Sequence, residues 1–175
     1  MKKLLIAVDL QNDFISGALG TAEARKMLPR AVQKIRDFSG EVFFTLDTHG
    51  EDYLDTAEGR KLPVPHCIKG TDGWRLAPEI AALAANVPQD HIVEKPTFGS
   101  AELPARIAAT FPGEELEIQL IGICTDICVI SNAMILKAYF HEAAISVDSS
   151  CCAGVTPQSH ATALKAMEAC QIDIL

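Results

Sequence analysis

A chain of 175 residues with 49% apolar side chains can build one large core, which excludes a disordered segment and predicts a single domain over residues 1–175. The formal net charge of −8 comes from scattered Asp and Glu without a Lys/Arg cluster, which argues against a nucleic-acid partner. No run is long enough for a membrane span, so no membrane partner is expected, and the six cysteines read as reduced thiols of a cytoplasmic protein rather than a disulfide frame.

Lys2 and Lys3 ahead of LLIAV mimic the start of a signal peptide, but the apolar stretch stops at Asp9 and no small-residue cleavage site follows, so residues 3–9 are read as a first strand. Further strands are predicted at 41–47, 91–94, 116–122, 143–148 and 171–174. Helical periods fall between them: Ala31, Val32, Ile35 and Phe38 share a stripe over 29–38, and others cover 77–86, 102–110, 126–140 and about 158–169. Strand and helix in alternation predict a parallel sheet covered by helices. Residues 49–74 keep no period and are rich in glycine, proline and charge, and a loop of that length in a compact domain is usually functional.

Ligands of such sheets bind outside the carboxyl ends of the strands, which here carry Asp9, Asp47, Lys95, the turn 122–128 and Asp148. Asp9 is either a desolvated proton acceptor or a carboxylate capping the next turn. Lys95 is either its cationic partner or a rim lysine. Cys128 lies in the first turn of a helix, where unpaired N–H groups and the macrodipole should lower its pKa, or else it is a small core residue. A thiol, a carboxylate and a cation at one sheet edge form the parts of a covalent hydrolase, and the tight turn through Gly122 could aim the N–H groups of Cys124 and Cys128 at one oxygen.

Asp47 and His49 alternate to the same side of an extended chain, and His66 follows late in the irregular loop, so the three can grip one ion. Glu58, with Asp52 and Asp55 as competitors, is the candidate fourth ligand, and Cys67 a less favoured one. This N/O donor set suits one divalent ion, Zn, Fe or Mn. Phe14, Trp74 and Phe98 are candidates to line a pocket for a flat ring. Cys151 and Cys152 read as small buried residues beneath a turn.

The segments LLIAVDLQNDF, FFTLDTH, PHCIKGTDGWRL, VEKPTFGSA and LIGICTDICV, in that order, resemble the isochorismatase-like cysteine hydrolases, and among them the nicotinamidase/pyrazinamidase branch. The resemblance covers nearly the whole chain. It implies a three-layer α/β/α sandwich, a six-stranded parallel sheet in the order 3-2-1-4-5-6, and a cis peptide between Ile123 and Cys124. It makes Asp9 the general base, Lys95 its cationic partner, Cys128 the nucleophile, and Asp47, His49 and His66 metal ligands. Some members use a loop glutamate, matched by Glu58, and others a further histidine where this chain has Asp55. Phe14 and Phe98 match ring-contacting positions, while Leu62 or Pro63 stands where many members place an aromatic residue. The implied reaction converts nicotinamide, and also pyrazinamide, to the acid and ammonia through a thioester; a homo-oligomer is left open. Other readings are a related hydrolase of another small amide or ureido compound, a catalytically silent binding protein, and a thiol redox protein using Cys124, Cys128, Cys151 or Cys152.

Overall fold

Strand β1, Lys2–Val8, is fully buried from Leu4 onward. Because strand side chains alternate, Leu5 and Ala7 join one apolar core while Leu4, Ile6 and Val8 join another on the opposite face. The computed structural model, which describes residues 1–175, surrounds β1 with β2 (Glu41–Asp47), β3 (Ile92–Lys95), β4 (Leu116–Ile123), β5 (Ala144–Ala153) and β6 (Asp173–Ile174). All neighbours pair in parallel, in the order β3-β2-β1-β4-β5-β6.

Six helices connect the strands: α1 (Asn12–Ile15), α2 (Ala22–Asp37), α3 (Pro78–Ala84), α4 (Glu102–Thr110), α5 (Ile130–Tyr139) and α6 (Pro157–Ala169). Met27, Ala31 and Ile35 of α2 and Ile80 of α3 cover the Leu5 face. Leu103 and Ile107 of α4, Leu136 of α5 and Met167 of α6 cover the Leu4 face. The expected three-layer sandwich is therefore formed. No helix is long and apolar enough to cross a membrane.

Some boundaries differ from the pattern-based expectation. Helix α2 starts seven residues before Pro29, at Ala22, because Thr21 caps it by accepting the Ala24 N–H at 3.0 Å; proline lies inside the helix rather than at its start. Strand β5 continues to Ala153, so Cys151 and Cys152 sit within a strand and not under a turn. They point into opposite cores, and all six cysteines are free thiols. Between β2 and α3 the chain stays irregular apart from one 3-10 turn at Tyr53–Asp55.

The crossover direction reverses between β1 and β4, and that is where a crevice opens at the strands' carboxyl ends. Gly122 makes the approach possible there. Its φ is +127°, and a Cβ would lie 2.1 Å from the Val8 carbonyl oxygen on the neighbouring strand. Gly122→Ala should therefore cost roughly 3 kcal/mol of stability, to be read from the urea midpoint; an unchanged midpoint would show that β4 can shift without penalty.

Candidate active site

Three adjacent strand ends deliver the charged groups. Lys95 and Asp47 are paired across β3 and β2, and Asp9 follows β1 with φ +49°, a left-handed conformation that Asp tolerates better than most residues. Asp9 is 0% and Lys95 1% exposed. The Lys95 Nζ lies 2.6 Å from Asp9 Oδ2, 3.4 Å from Asp47 Oδ1, 3.6 Å from Cys128 Sγ, and 3.1 Å from the Thr97 carbonyl, to which it donates. Thr45 Oγ1 donates to Asp9 Oδ1 at 2.7 Å. Oδ2 of Asp9 has no aligned hydrogen-bond donor, so its contact with Lys95 is one of charge rather than of a well-directed hydrogen bond. That oxygen keeps a lone pair for a thiol proton.

The electrostatics follow from burial. Desolvation raises the Asp9 pKa, and Lys95 only partly offsets it. Desolvation opposes the Lys95 charge too, but Asp9, Cys128 and Asp47 outweigh it and hold the ammonium well above its ordinary range. Cys128 departs from expectation: desolvation, then the Asp9 charge, raise its pKa well above the usual thiol value, with Lys95 pulling the other way. The helix start was expected to lower it. Here the turn is buried, and the loss of water outweighs the partial charges of the N–H groups. The resting group is a thiol beside a carboxylate that can accept its proton.

Cys128 lies in a π-helical turn, Thr125–Val129, between β4 and α5. The Ile123–Cys124 peptide is cis, as the resemblance implies. The Cys124 carbonyl accepts from the N–H groups of Ile127 at 3.1 Å and Val129 at 3.0 Å and passes over that of Cys128. Burial pushes the Cys124 thiol up to about 12, which leaves it protonated.

Asp47, His49 and His66 are buried with ligand atoms within 4.8 Å of one another. Asp47 Oδ2 lies 3.0 Å from His49 Nε2 and 3.4 Å from His66 Nε2, and Glu58 Oε1 lies 3.8 and 3.7 Å from the same two nitrogens. Such separations match the edges of a coordination shell whose bonds are about 2.0–2.2 Å long, so the donor set fits a divalent ion. The Nδ1–H of His66 donates to the Val64 carbonyl at 2.8 Å, leaving Nε2 free to ligate. Asp52 and Asp55 are exposed. Cys67 is buried in the core cluster and stands outside the donor set.

Both groups meet one cavity of about 500 Å³, whose lining includes Asp47, Glu58, His66, Cys124 and Cys128 together with Phe14 and Phe98. Trp74 does not line it: its Nε1 donates to Thr48 Oγ1 at 2.9 Å. Asp148 pairs with Lys34 at 3.0 Å, away from the cavity, because β5 runs past it.

Several supporting residues escaped the sequence reading. Gln11 accepts from the Asp47 N–H at 2.7 Å and donates to the Asp47 carbonyl at 2.9 Å and the Trp74 carbonyl at 2.7 Å. Asn132 donates to the Cys128 carbonyl at 2.8 Å and the Phe98 carbonyl at 3.2 Å, and accepts from the Ser100 N–H at 2.9 Å. Tyr53 packs against both metal-side imidazoles, at 4.8 and 5.0 Å, and its hydroxyl donates to the Leu62 carbonyl at 2.9 Å. Gln11, two residues after Asp9 in DLQNDF, and Tyr53, next to Asp52, lie close enough in sequence to candidates to have drawn notice.

A thiol, a carboxylate and a lysine gathered at the carboxyl edge of a parallel sheet are the parts a covalent hydrolase requires. The isochorismatase domain family matches residues 3–175, and the chain belongs to that family. An isochorismatase family protein of Bacillus subtilis strain 168, PncA, is 32% identical over 94% of this chain and 93% of its own. The crystal structure of nicotinamidase/pyrazinamidase PncA from Bacillus subtilis superposes with a TM-score of 0.83 at 29% identity, covering 99% of both chains. The pyrazinamidase/nicotinamidase of Streptococcus mutans UA159 gives 0.81 at 28% identity, covering 99% of this chain and 100% of the other. These likenesses place the chain on the nicotinamidase/pyrazinamidase branch.

Proposed function

We propose that the protein is a metal-containing cysteine amidohydrolase that converts nicotinamide, and also pyrazinamide, to the corresponding acid and ammonia. The observation that carries this reading is the meeting of the Asp9–Lys95–Cys128 group and the Asp47–His49–His66 group at one cavity, beside the likeness to nicotinamidases. Asp9 takes the proton of Cys128, and the thiolate attacks the carboxamide carbon. The N–H groups of Cys124 and Cys128 hold the oxyanion, a role supported by the turn in which the Cys124 carbonyl passes over the Cys128 N–H. Lys95 offsets the negative charge that moves between sulfur and carboxylate. Asp9 then protonates the departing ammonia, leaving a thioester that water hydrolyses. Asp47, His49, His66 and Glu58 would hold the divalent ion, a Lewis acid suited to binding the pyridine nitrogen and orienting the ring. Phe14 and Phe98 flank that ring.

Ammonia release from nicotinamide by the zinc-loaded protein tests the reaction; no release at any metal loading would sink it. Removing the ion with a strong chelator should raise KM by about tenfold or more with a smaller change in kcat, reversed by adding zinc. An equal fall in kcat alone would mean that the ion takes part in chemistry and not in ring placement. Glu58→Gln is expected to weaken zinc binding roughly 10- to 100-fold in competition with a chromophoric chelator, while Asp52→Asn and Asp55→Asn stay near the parent value. Should Asp52→Asn or Asp55→Asn give the larger loss, the fourth ligand has been misassigned.

A further inference from the structure

The cavity is larger than its proposed substrate requires. Volumes of roughly 300–1,000 Å³ accommodate drug-sized ligands, and this one is about 500 Å³, whereas nicotinamide is a single ring with one carboxamide. Cys128, Asp47 and His66 lie at its buried inner end, and most of the remaining accessible wall is apolar, with Lys61 as the one cation that lines it. At the outer end Leu62, Phe98 and Val155 line the cavity while remaining 38%, 44% and 50% exposed. They come from three separate segments: the irregular loop before α3, the loop after β3, and the turn before α6. Their arrangement around one opening offers apolar contact to an occupant rather than to one another.

Resting on the amidohydrolase reading, we infer that the site accepts ring carboxamides extended by an uncharged apolar group, such as a butyl chain or a second ring, on the ring edge facing Leu62, Phe98 and Val155. The carboxamide occupies the inner end against Cys128. The extension displaces water from the apolar mouth, and that burial favours the extended compound over nicotinamide. Lys61 lines the cavity beside Leu62, so a cationic extension meets a like charge there and also leaves its own solvation behind.

The test compares nicotinamide with its ring-butylated analogue and with an analogue of the same length ending in an ammonium group, using the zinc-loaded protein. KM for the butyl compound is expected to be about tenfold lower than for nicotinamide, and the ammonium compound to show no such gain. Val155→Trp, which fills the mouth from an exposed position, should reduce the butyl-to-nicotinamide ratio of kcat/KM by at least about fivefold. Hydrolysis of nicotinamide with exclusion of the butyl compound overturns the inference and leaves the amidohydrolase reading standing. If neither compound is hydrolysed, calorimetric binding to the Cys128→Ala protein still decides: tighter binding of the butyl compound supports the apolar mouth, and equal or weaker binding overturns it.

Discussion

Cys128→Ala is expected to lower ammonia release from nicotinamide by roughly 100,000-fold without unfolding the protein. Of the two thiols that line the cavity, that of Cys128 is the one held beside Lys95, at 3.6 Å, and without it Asp9 has no proton to take from that position. The structural cost is small. One buried sulfur is lost from a turn whose backbone is still tied to Asn132 at 2.8 Å, so stability should fall by about 1 kcal/mol. Zinc content should be unchanged, because the donor set lies on other segments. Cys124→Ala separates the two cysteines: it keeps the backbone N–H and removes a thiol that burial holds protonated, so it should lose no more than about tenfold in activity. Ammonia assays and urea unfolding of the two variants check the assignment. Substantial turnover by Cys128→Ala would refute covalent catalysis at that residue.

Lys95→Met should both inactivate and destabilise the protein. The ammonium faces two buried carboxylates, Asp9 at 2.6 Å and Asp47 at 3.4 Å; removing it leaves Asp9 with the Thr45 hydroxyl alone, while Asp47 keeps His49 and His66. Breaking a buried pair from one side costs about 3–5 kcal/mol. Part of that loss should return in the Lys95→Met/Asp9→Asn double variant, where one stranded charge is gone; a coupling of about 1–3 kcal/mol is expected. The pH dependence has a definite sign. Burial already raises the Asp9 pKa in the presence of Lys95, and loss of the cation raises it further, so folded Asp9 takes up a proton more readily than unfolded Asp9. The stability deficit of Lys95→Met should therefore be greatest at high pH and shrink as the pH falls through the Asp9 pKa. Urea titrations at several pH values measure this directly. A deficit independent of pH would mean that lost packing, and not stranded charge, is the cause.

The strand ends were legible because buried parallel strands write themselves as short apolar runs, and Asp9, Asp47 and Lys95 each close one. Spacing alone also grouped Asp47 with His49. What brings His66 and Glu58 beside them is the path of an irregular loop, for which the sequence has no period to follow; their residue types suggested the grouping, and the resemblance agreed with it. Proline misled at α2, since Pro29 reads as a helix start and the Thr21 cap, eight residues ahead of the interior proline of Ala22–Asp37, carries a weaker local signal. The apolar runs also understated β5, because Asp148, Ser149 and Ser150 interrupt the hydrophobic pattern of a strand that continues to Ala153. The direction of the Cys128 shift was misread for a different reason. Position in a helix is visible in sequence, but the depth at which that helix begins is set by tertiary packing.

Gln11 gives the cavity floor a property that neither charged group could supply. Its carboxamide meets both the N–H and the carbonyl of Asp47, as a peptide unit of a neighbouring strand would, beyond the last register pair of Val8 with Thr45. The side chain thus counterfeits one more rung of the ladder after β1 has turned away at Asp9. The acid that faces the thiol and the acid that faces the imidazoles are consequently spliced into one rigid span, and a substrate stretched between them is measured against a fixed ruler.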